Sequence, residues 1–253
     1  MVLRARVYAL HKAGNAATEY EDAYDFGWSP ATSAPVFRCA VADGATEASF
    51  SALWATKLVR AYCNGTLSSS ASLATALQGL QEEWLAQVGS SPSVQWYVEE
   101  KLRHGAFSSL VGLTLERGAG LGGGAWQAVA VGDSCLFQLR GDELLVRFPL
   151  ARADEFNNRP FLLSSNPAGN GALIENTNTF GGDWRAGDIF YLMTDALAQW
   201  FLQEYERGER PWHTLARMED DGREEAFADF VSARRAAQTL RNDDVTMLTV
   251  VTD

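Results

Sequence analysis

Acidic residues stand at the ends of several apolar segments in this sequence of 253 residues. In chain order they are Glu21, Asp22, Asp43, Asp133, Asp195, Asp243 and Asp244. Carboxylates at strand ends can converge at one edge of a sheet, where they repel one another unless a cation lies between them. Oxygen ligands without His or Cys select hard cations such as Mg²⁺ or Mn²⁺. The alternative, that each Asp only caps a strand or a turn, stays open, because Asp is common in turns.

The histidines and cysteines form none of the common metal-binding motifs. They are His11, His104, His213, Cys39, Cys63 and Cys135. The cysteines lack CxxC spacing, and the histidines are far apart in sequence. A small, odd number of cysteines is typical of a reduced protein, so we expect a cytoplasmic location.

The composition is that of an ordinary globular protein, with 47% hydrophobic and 21% charged residues. A chain of this size can bury a large core, so we expect one domain over residues 1–253. The formal charge of −11 argues against nucleic acid, whose phosphates require Lys and Arg, and against anionic membrane surfaces. The sequence begins without the pattern of a signal peptide, and no run approaches the roughly 20 apolar residues that span a bilayer.

Apolar spacing predicts the elements that must position the acidic residues. Helices are predicted at 48–63, 71–88, 94–103, 196–207 and 222–240. Strands are predicted at 3–11, 35–43, 106–116, 125–131, 134–140, 143–148, 172–180, 188–194 and 244–251. Strands at both ends, with helices between groups of strands, predict a layered α+β sandwich.

Six short motifs, in this order, resemble the type 2C family of metal-dependent protein phosphatases (PPM type). They are Glu21-Asp22, Val41-Ala42-Asp43-Gly44, Phe107-Ser108-Ser109-Leu110, Val131-Gly132-Asp133-Ser134, Met193-Thr194-Asp195-Ala196 and Asp243-Asp244-Val245-Thr246. The resemblance spans about residues 5–251, and the order of the motifs is far more specific than any one of them. It implies a four-layer α-β-β-α sandwich with two central antiparallel sheets.

The resemblance also implies the metal ligands. Asp43 is similar to the carboxylate that bridges two ions. The carbonyl of Gly44 and the carboxylate of Glu21 resemble ligands of one ion, and Asp195 and Asp243 resemble ligands of the other.

Three further acids receive secondary roles from the resemblance. Asp22 is similar to the second acid of the family's early pair, which orients the ligands or binds a metal-bound water. Asp244 replaces the family's usual Asn and is the less favoured ligand, and Asp133 is expected to close a hairpin. Glu99 or Glu100 lies where some bacterial members bind a third ion.

The chain departs from the family pattern around these ligands. Ala45-Thr46-Glu47 follows the Asp-Gly pair where the family commonly has His-Gly-Gly or Met-Gly-Gly, and Ala17 stands where many members place a phosphate-binding Arg. Lys12 or Arg38 is a candidate substitute for that Arg. His11 is a candidate general acid, with an ordinary place at a strand end as the alternative.

The implied reaction is hydrolysis of phosphoserine and phosphothreonine in proteins by a hydroxide bridging two Mg²⁺ or Mn²⁺ ions, about 3.5–4 Å apart. No covalent phospho-enzyme is required, which agrees with the absence of a Cys-x5-Arg motif. The expected partners are a phosphorylated protein and a cognate kinase. The alternative is a weak or inactive relative that binds a phosphorylated partner or regulates a kinase.

Overall fold

Two five-stranded antiparallel sheets lie at the centre of the computed structural model. The structure describes residues 3–29, 36–45, 50–89, 104–118, 122–157, 159–221 and 225–253. In the first sheet the strand order is β1 (Leu3–Leu10), β12 (Val245–Thr252), β11 (Asp188–Met193), β7 (Cys135–Arg140) and β8 (Glu143–Phe148). In the second it is β10 (Asn178–Arg185), β6 (Gly123–Val131), β5 (Leu110–Arg117), β3 (Val36–Ala42) and β2 (Ala23–Ser29). A short pair, β4 (Phe107–Ser108) and β9 (Leu163–Ser164), lies beside them.

Helices cover the outer faces of both sheets. Helices α1 (Ser51–Cys63) and α2 (Ser70–Gly89) pack on the second sheet, and α3 (Asp195–Glu206), α4 (Pro211–Asp221) and α5 (Glu225–Ala236) pack on the first. The described residues form three hydrophobic cores, one between the sheets and one under each helical layer. This is the predicted four-layer α-β-β-α sandwich, and the fold prediction is confirmed.

The local sequence explains the elements nearest to the acidic residues. Trp54, Leu58 and Tyr62 recur every four residues along α1, and all three are fully buried against the second sheet. Strand β12 is rich in Val and Thr, whose branched side chains favour strands, and seven of its eight residues are buried. Strand β12 is central in its sheet, and its pairing with β1 on one side and β11 on the other fixes its register.

Helix α4 was not predicted by the sequence, whereas the helix predicted over 222–240 is present but shorter, as α5 (Glu225–Ala236). Buried Trp212, Leu215 and Met218 form the apolar face of α4, but charged neighbours obscure this short pattern. The last helix ends at Ala236, and Gln238 adopts a positive φ of 55°, a left-handed conformation that often terminates helices.

Strand β10 covers 178–185 instead of the predicted 172–180. Seven of its eight residues are exposed, because β10 is an edge strand, so it lacks the apolar alternation that marks a half-buried strand. The helix predicted at 94–103 lies outside the described residues. Within the described part of the chain, no helix is long and apolar enough to cross a membrane.

Candidate metal centre

Three aspartate side chains meet where strands of both sheets end. Asp43, Asp133 and Asp195, here called the acid cluster, each place a carboxylate oxygen within 4.8 Å of the other two. Asp43 directly follows β3, Asp133 lies in the turn between β6 and β7, and Asp195 opens helix α3. Both central sheets therefore contribute to the cluster, and its geometry depends on how they stack.

Two serines fix the backbone beneath the cluster. The Ser109 amide donates to the Asp43 carbonyl at 2.9 Å, and the Asp43 amide donates to the Ser109 hydroxyl at 3.1 Å. That hydroxyl also lies 2.6 Å from the hydroxyl of Ser134, next to Asp133. This buried chain of hydrogen bonds couples the positions of Asp43 and Asp133.

Asp22 lies near Asp43 of the acid cluster and is almost fully buried. Its Oδ2 accepts hydrogen bonds from the hydroxyls of Thr194 at 3.0 Å and Thr246 at 2.7 Å. Its Oδ1 is also buried but has no hydrogen-bond partner among the described residues. A buried carboxylate oxygen normally has a partner, so this atom is available to a metal ion or to a water bound to one.

Glu21 and Gly44 form the next part of the site. The Ser51 hydroxyl at the start of α1 donates to the Glu21 carboxylate. A Cβ on Gly44 would lie 2.6 Å from the backbone oxygen of Glu21, so only Gly fits at this close approach. Glycine is therefore required here by packing, whatever the metal content.

Asp244 connects two backbone segments and does not belong to the acid cluster. One of its carboxylate oxygens accepts from the amide of Lys12, and the other accepts from the amide of Glu21, both at 2.7 Å. Both oxygens are thus occupied by the backbone, which supports a positioning role for Asp244. Asp243 points into the pocket instead.

Cationic side chains border the acidic pocket. The Arg241 guanidinium forms a salt bridge with Asp195 and lies 3.4 Å from Asp243, and Lys12 Nζ lies 3.9 Å from Asp243. The pocket has a volume of about 260 Å³. Its lining comprises Asp43, Ala45, Asp133, Asn157, Pro160, Leu162, Asp195, Arg241 and Asp243. It is large enough for ions and a phosphoryl group, and it opens to solvent.

Burial and mutual repulsion raise the pKa values of the clustered acids. Desolvation raises the pKa of Asp43 well above its usual range, and the charges of Asp22, Asp195 and Asp133 add to this effect. Desolvation, followed by repulsion from Asp195, raises the pKa of Asp133 to about 7. The pKa of Asp195 is also raised by desolvation, although Arg241 opposes the shift. Arg241 compensates these charges only in part, and divalent cations would compensate the rest.

The donor set fits hard cations. It consists of carboxylate oxygens from Asp43, Asp133, Asp195 and Asp243, with the unpartnered oxygen of Asp22 close by. No His or Cys joins the acid cluster among the described residues. An oxygen-only set suits Mg²⁺ or Mn²⁺ better than softer ions.

Three predicted site residues lie elsewhere or outside the described chain. The Arg38 guanidinium lies beside Gly65, just beyond the C-terminal end of α1, since a Cβ placed on Gly65 would be 3.5 Å from Arg38 Cζ. Ser51 and the site are at the other end of α1, about 20 Å away for 13 residues. Arg38 is therefore not a phosphate contact, because β3 carries it along the sheet away from the pocket. Glu99 and Glu100 lie outside the described residues.

His11 and Lys12 lie at the margin of the site. His11 Nδ1 is 3.0 Å from the carbonyl of Lys12, and His11 is not among the residues that line the pocket. This position agrees with an ordinary strand-end residue. Lys12 approaches through its contact with Asp243, and it stays a candidate for contacting phosphate at the rim.

The structure corrects the prediction for Asp133 and adds Arg241. The prediction favoured a hairpin role for Asp133 over a direct one, whereas its carboxylate belongs to the acid cluster. Gly132, with a φ of 91°, makes the tight turn before it. The signal was already present as an Asp between two buried strands. Arg241 carried no signal, since nothing in its neighbourhood in the sequence indicates a partner 46 residues away.

Comparison with known proteins agrees with this architecture. A family model for protein phosphatase 2C matches residues 16–244. The serine/threonine phosphatase PstP/Ppp of Mycobacterium tuberculosis is similar in structure, with a TM-score of 0.59, 17% identity and 100% of both chains covered. A bacterial serine phosphatase gives a TM-score of 0.59 at 11% identity, covering 100% of this chain and 98% of its own. No curated protein sequence matches the chain at a significant level.

A PstP catalytic domain in complex with two manganese ions has a TM-score of 0.57 and 18% identity, with 99% of both chains covered. At such identities the structural similarities show the fold, and the family model shows the family. Because that model covers most of the sequence, including all the acids described above, the chain belongs to the protein phosphatase 2C family of protein serine/threonine phosphatases.

Proposed function

We propose that this chain hydrolyses phosphoserine and phosphothreonine in proteins and depends on Mg²⁺ or Mn²⁺ for this activity. The observation that carries the proposal is the acid cluster, in which three carboxylates from two sheets lie within 4.8 Å. Such a cluster is costly without cations, because its members are desolvated and repel one another. A protein that only bound a phosphorylated partner would gain nothing from these converging acids.

The residues that would hold the cations follow from their placement. The Asp43 carboxylate lies within 4.8 Å of those of Asp133 and Asp195 and would be the ligand shared by two ions. Asp133, Asp195 and Asp243 surround the same pocket. Bound divalent cations would supply Lewis acidity toward the phosphoryl group and would activate water as the nucleophile.

The early acids and Gly44 would complete the ligand set. Gly44 lies against the backbone of Glu21 and Ser51, and the Ser51 hydroxyl donates to the Glu21 carboxylate. Asp22 offers its unpartnered Oδ1, while two threonine hydroxyls hold Oδ2. This arrangement leaves Asp22 one free oxygen, which suits contact with an ion or with its water.

The pocket would orient the substrate as a phosphate monoester at a protein surface. Its lining also includes Asn157, Pro160 and Leu162, which offer limited apolar contact beside the acidic residues. A phosphorylated protein is therefore the proposed partner, and a kinase acting on the same protein would be its functional counterpart. A third ion near Glu99 or Glu100 stays a prediction.

Hydrolysis of p-nitrophenyl phosphate and of a phosphothreonine peptide tests the proposal. We expect release of phosphate with Mn²⁺ or Mg²⁺, its loss on chelation with EDTA and its recovery when metal is returned. An Arg210→Met variant, altered at an exposed ion pair with Asp142, serves as the control and should behave like the wild type. If metal binds but neither substrate is hydrolysed, the chain is an inactive relative that binds a phosphorylated partner or regulates a kinase.

A further inference from the structure

Arg241 supplies the acidic pocket with a cation of the chain's own. It lies between helix α5 and strand β12, two residues before Asp243. Its Nη2 forms the salt bridge with Asp195 and is 3.4 Å from Asp243 Oδ2. Two carboxylates of the proposed cation site are therefore already neutralised in part by one guanidinium.

The two members of this salt bridge differ in their freedom to move. The Asp195 side chain is 9% exposed and lies in the first turn of α3, whereas the Arg241 side chain is 42% exposed. A divalent cation at Asp195 would repel a guanidinium that shares the same oxygens, because like charges a few ångströms apart repel strongly in a protein. Arg241 is the partner that can move out of the salt bridge, because its side chain already reaches solvent.

Arg241 has a clear alternative partner within the same pocket. It is the only basic residue among the described residues that line the pocket, and a phosphate monoester there would carry negative charge. The planar fork of an arginine matches two phosphate oxygens at once, which a lysine ammonium cannot do. Arg235, the other arginine nearby, is held by the backbone carbonyls of His11 and Asp243.

We propose that Arg241 is the phosphate-binding residue of this site, held on Asp195 and Asp243 in the metal-free protein and released to the substrate when cations bind those carboxylates. This inference rests on the proposed function, which supplies the phosphate and the cations. It assigns one side chain two successive partners in one pocket. It also makes metal binding a precondition for binding phosphate through this residue.

Calorimetric titration with Mn²⁺ alone, without substrate, tests the first half of the proposal. Arg241→Met removes the competing charge at similar length and should bind Mn²⁺ about tenfold more tightly than the wild type, since a hydrogen-bonded charge pair no longer has to break. Arg241→Lys keeps the charge and should bind Mn²⁺ like the wild type. Arg210→Met removes an arginine from the exposed pair with Asp142 and should change nothing.

Titration of the Mn²⁺-loaded protein with inorganic phosphate tests the second half. We expect Arg241→Met and Arg241→Lys both to lose about tenfold or more in phosphate affinity, because both lack the bidentate fork. Unchanged phosphate affinity in both variants would overturn the phosphate role, and unchanged Mn²⁺ affinity in Arg241→Met would overturn the counter-ion role. If Arg241→Met does not fold, the phosphate affinity of Arg241→Lys decides the proposal.

These binding measurements separate this proposal from the proposed function. A wild-type protein that binds Mn²⁺ and phosphate but hydrolyses no phosphoester contradicts the proposed function only. In that case the two affinities still decide whether Arg241 changes partners. If the wild type is active and the Arg241 variants bind Mn²⁺ and phosphate as it does, only the inference about Arg241 fails.

Discussion

The Thr246 hydroxyl donates a hydrogen bond of 2.7 Å to the buried carboxylate of Asp22, although 224 residues separate the two in sequence. Thr194 donates to the same carboxylate oxygen and accepts from the Thr246 amide at 2.9 Å. Desolvation raises the pKa of Asp22 well above its usual range, and these two hydroxyls oppose that shift. Strand β12 and the start of α3 thereby support the acid pair from the opposite sheet.

Replacing Thr246 with Val should destabilise the protein by about 2 kcal/mol, because a buried carboxylate loses one of two donors and hydrogen bonds to charged groups are worth about 1.5–3 kcal/mol. Urea unfolding of the metal-free protein measures the change. Thr56→Val is the matched control, since the Thr56 hydroxyl donates to the carbonyl of Ala52 within helix α1. Equal losses in the two variants would show that the bond to Asp22 has no special weight.

Replacing Asp43 with Asn should abolish metal-dependent hydrolysis while leaving the fold intact. A bridging carboxylate contacts both ions, so turnover should fall by more than about a hundredfold, given that even outer-shell partners of a metal are worth about 10- to 100-fold. The metal-free variant should be as stable as the wild type or more stable, because a desolvated charge near Asp22 and Asp195 has been removed.

Turnover at saturating Mn²⁺ and thermal unfolding in EDTA together check the Asp43→Asn prediction. Wild-type turnover in the variant would contradict the bridging role. A lower melting temperature without metal would contradict the account of repulsion, because it would mean that the Asp43 carboxylate stabilises the metal-free fold.

The sequence was sufficient to predict the fold and the approximate position of the acids. Alternating apolar residues define most central strands, and an Asp directly after a buried strand, such as Asp43, can only lie at the rim of a core. The chain order of the motifs then indicated the family. Local patterns of this kind can be recognised in the sequence, because a strand in a sandwich buries its apolar face however the other strands are arranged.

The sequence could not predict contacts that depend on how the two sheets stack. Asp133 appeared to be a hairpin residue, because the turn can be recognised from neighbouring residues. Its approach to Asp195 depends on how distant segments pack. Arg241 and Thr246 likewise meet their partners only after distant segments have packed. Helix α4 was missed because three buried residues among charged neighbours give a weak pattern.

Replacing Asp133 and Asp244 with Ala should separate a cluster acid from a positioning acid. Asp133→Ala should raise the Mn²⁺ concentration for half-maximal activity by about tenfold or more, because a carboxylate of the cluster is lost. Asp244→Ala should mainly destabilise the fold, by about 1–3 kcal/mol, since the amides of Lys12 and Glu21 both lose an acceptor.

Metal titration of activity and urea unfolding of both variants check this pair of predictions, with Asp243→Ala as the reference for a pocket acid. The assignment of Asp244 is wrong if Asp244→Ala weakens Mn²⁺ binding more than Asp243→Ala does. In that event the last motif would be shifted by one residue, and Asp244 would be the ligand.

Asp188 begins strand β11, at the opposite end of that strand from Asp195, and provides a test of pH-dependent stability. Its buried carboxylate accepts from Nε and Nη2 of Arg140, both at 2.8 Å, from Gln138 at 2.9 Å and from the Arg185 amide at 3.0 Å. Burial by itself raises the pKa of Asp188, but these donors outweigh it and the net pKa is lowered. A carboxyl group with a lower pKa in the folded state stabilises the fold at pH values above its unfolded pKa, about 3.9, and loses this contribution as the pH falls through the folded value.

Asp188→Asn should therefore lower the free energy of unfolding by about 3 kcal/mol at pH 7. This value is at the lower end of the range for breaking a buried ion pair, because Arg140 is partly exposed. The difference from the wild type should shrink as the pH falls below about 4, where the wild-type carboxyl also becomes protonated. Urea unfolding between pH 3 and pH 7 measures both quantities. Asp154→Asn, which alters an exposed pair with Arg152, should show no resolvable change. If Asp188→Asn lowers the free energy of unfolding equally at pH 3 and pH 7, the shape of this residue and not its charge is what stabilises the fold.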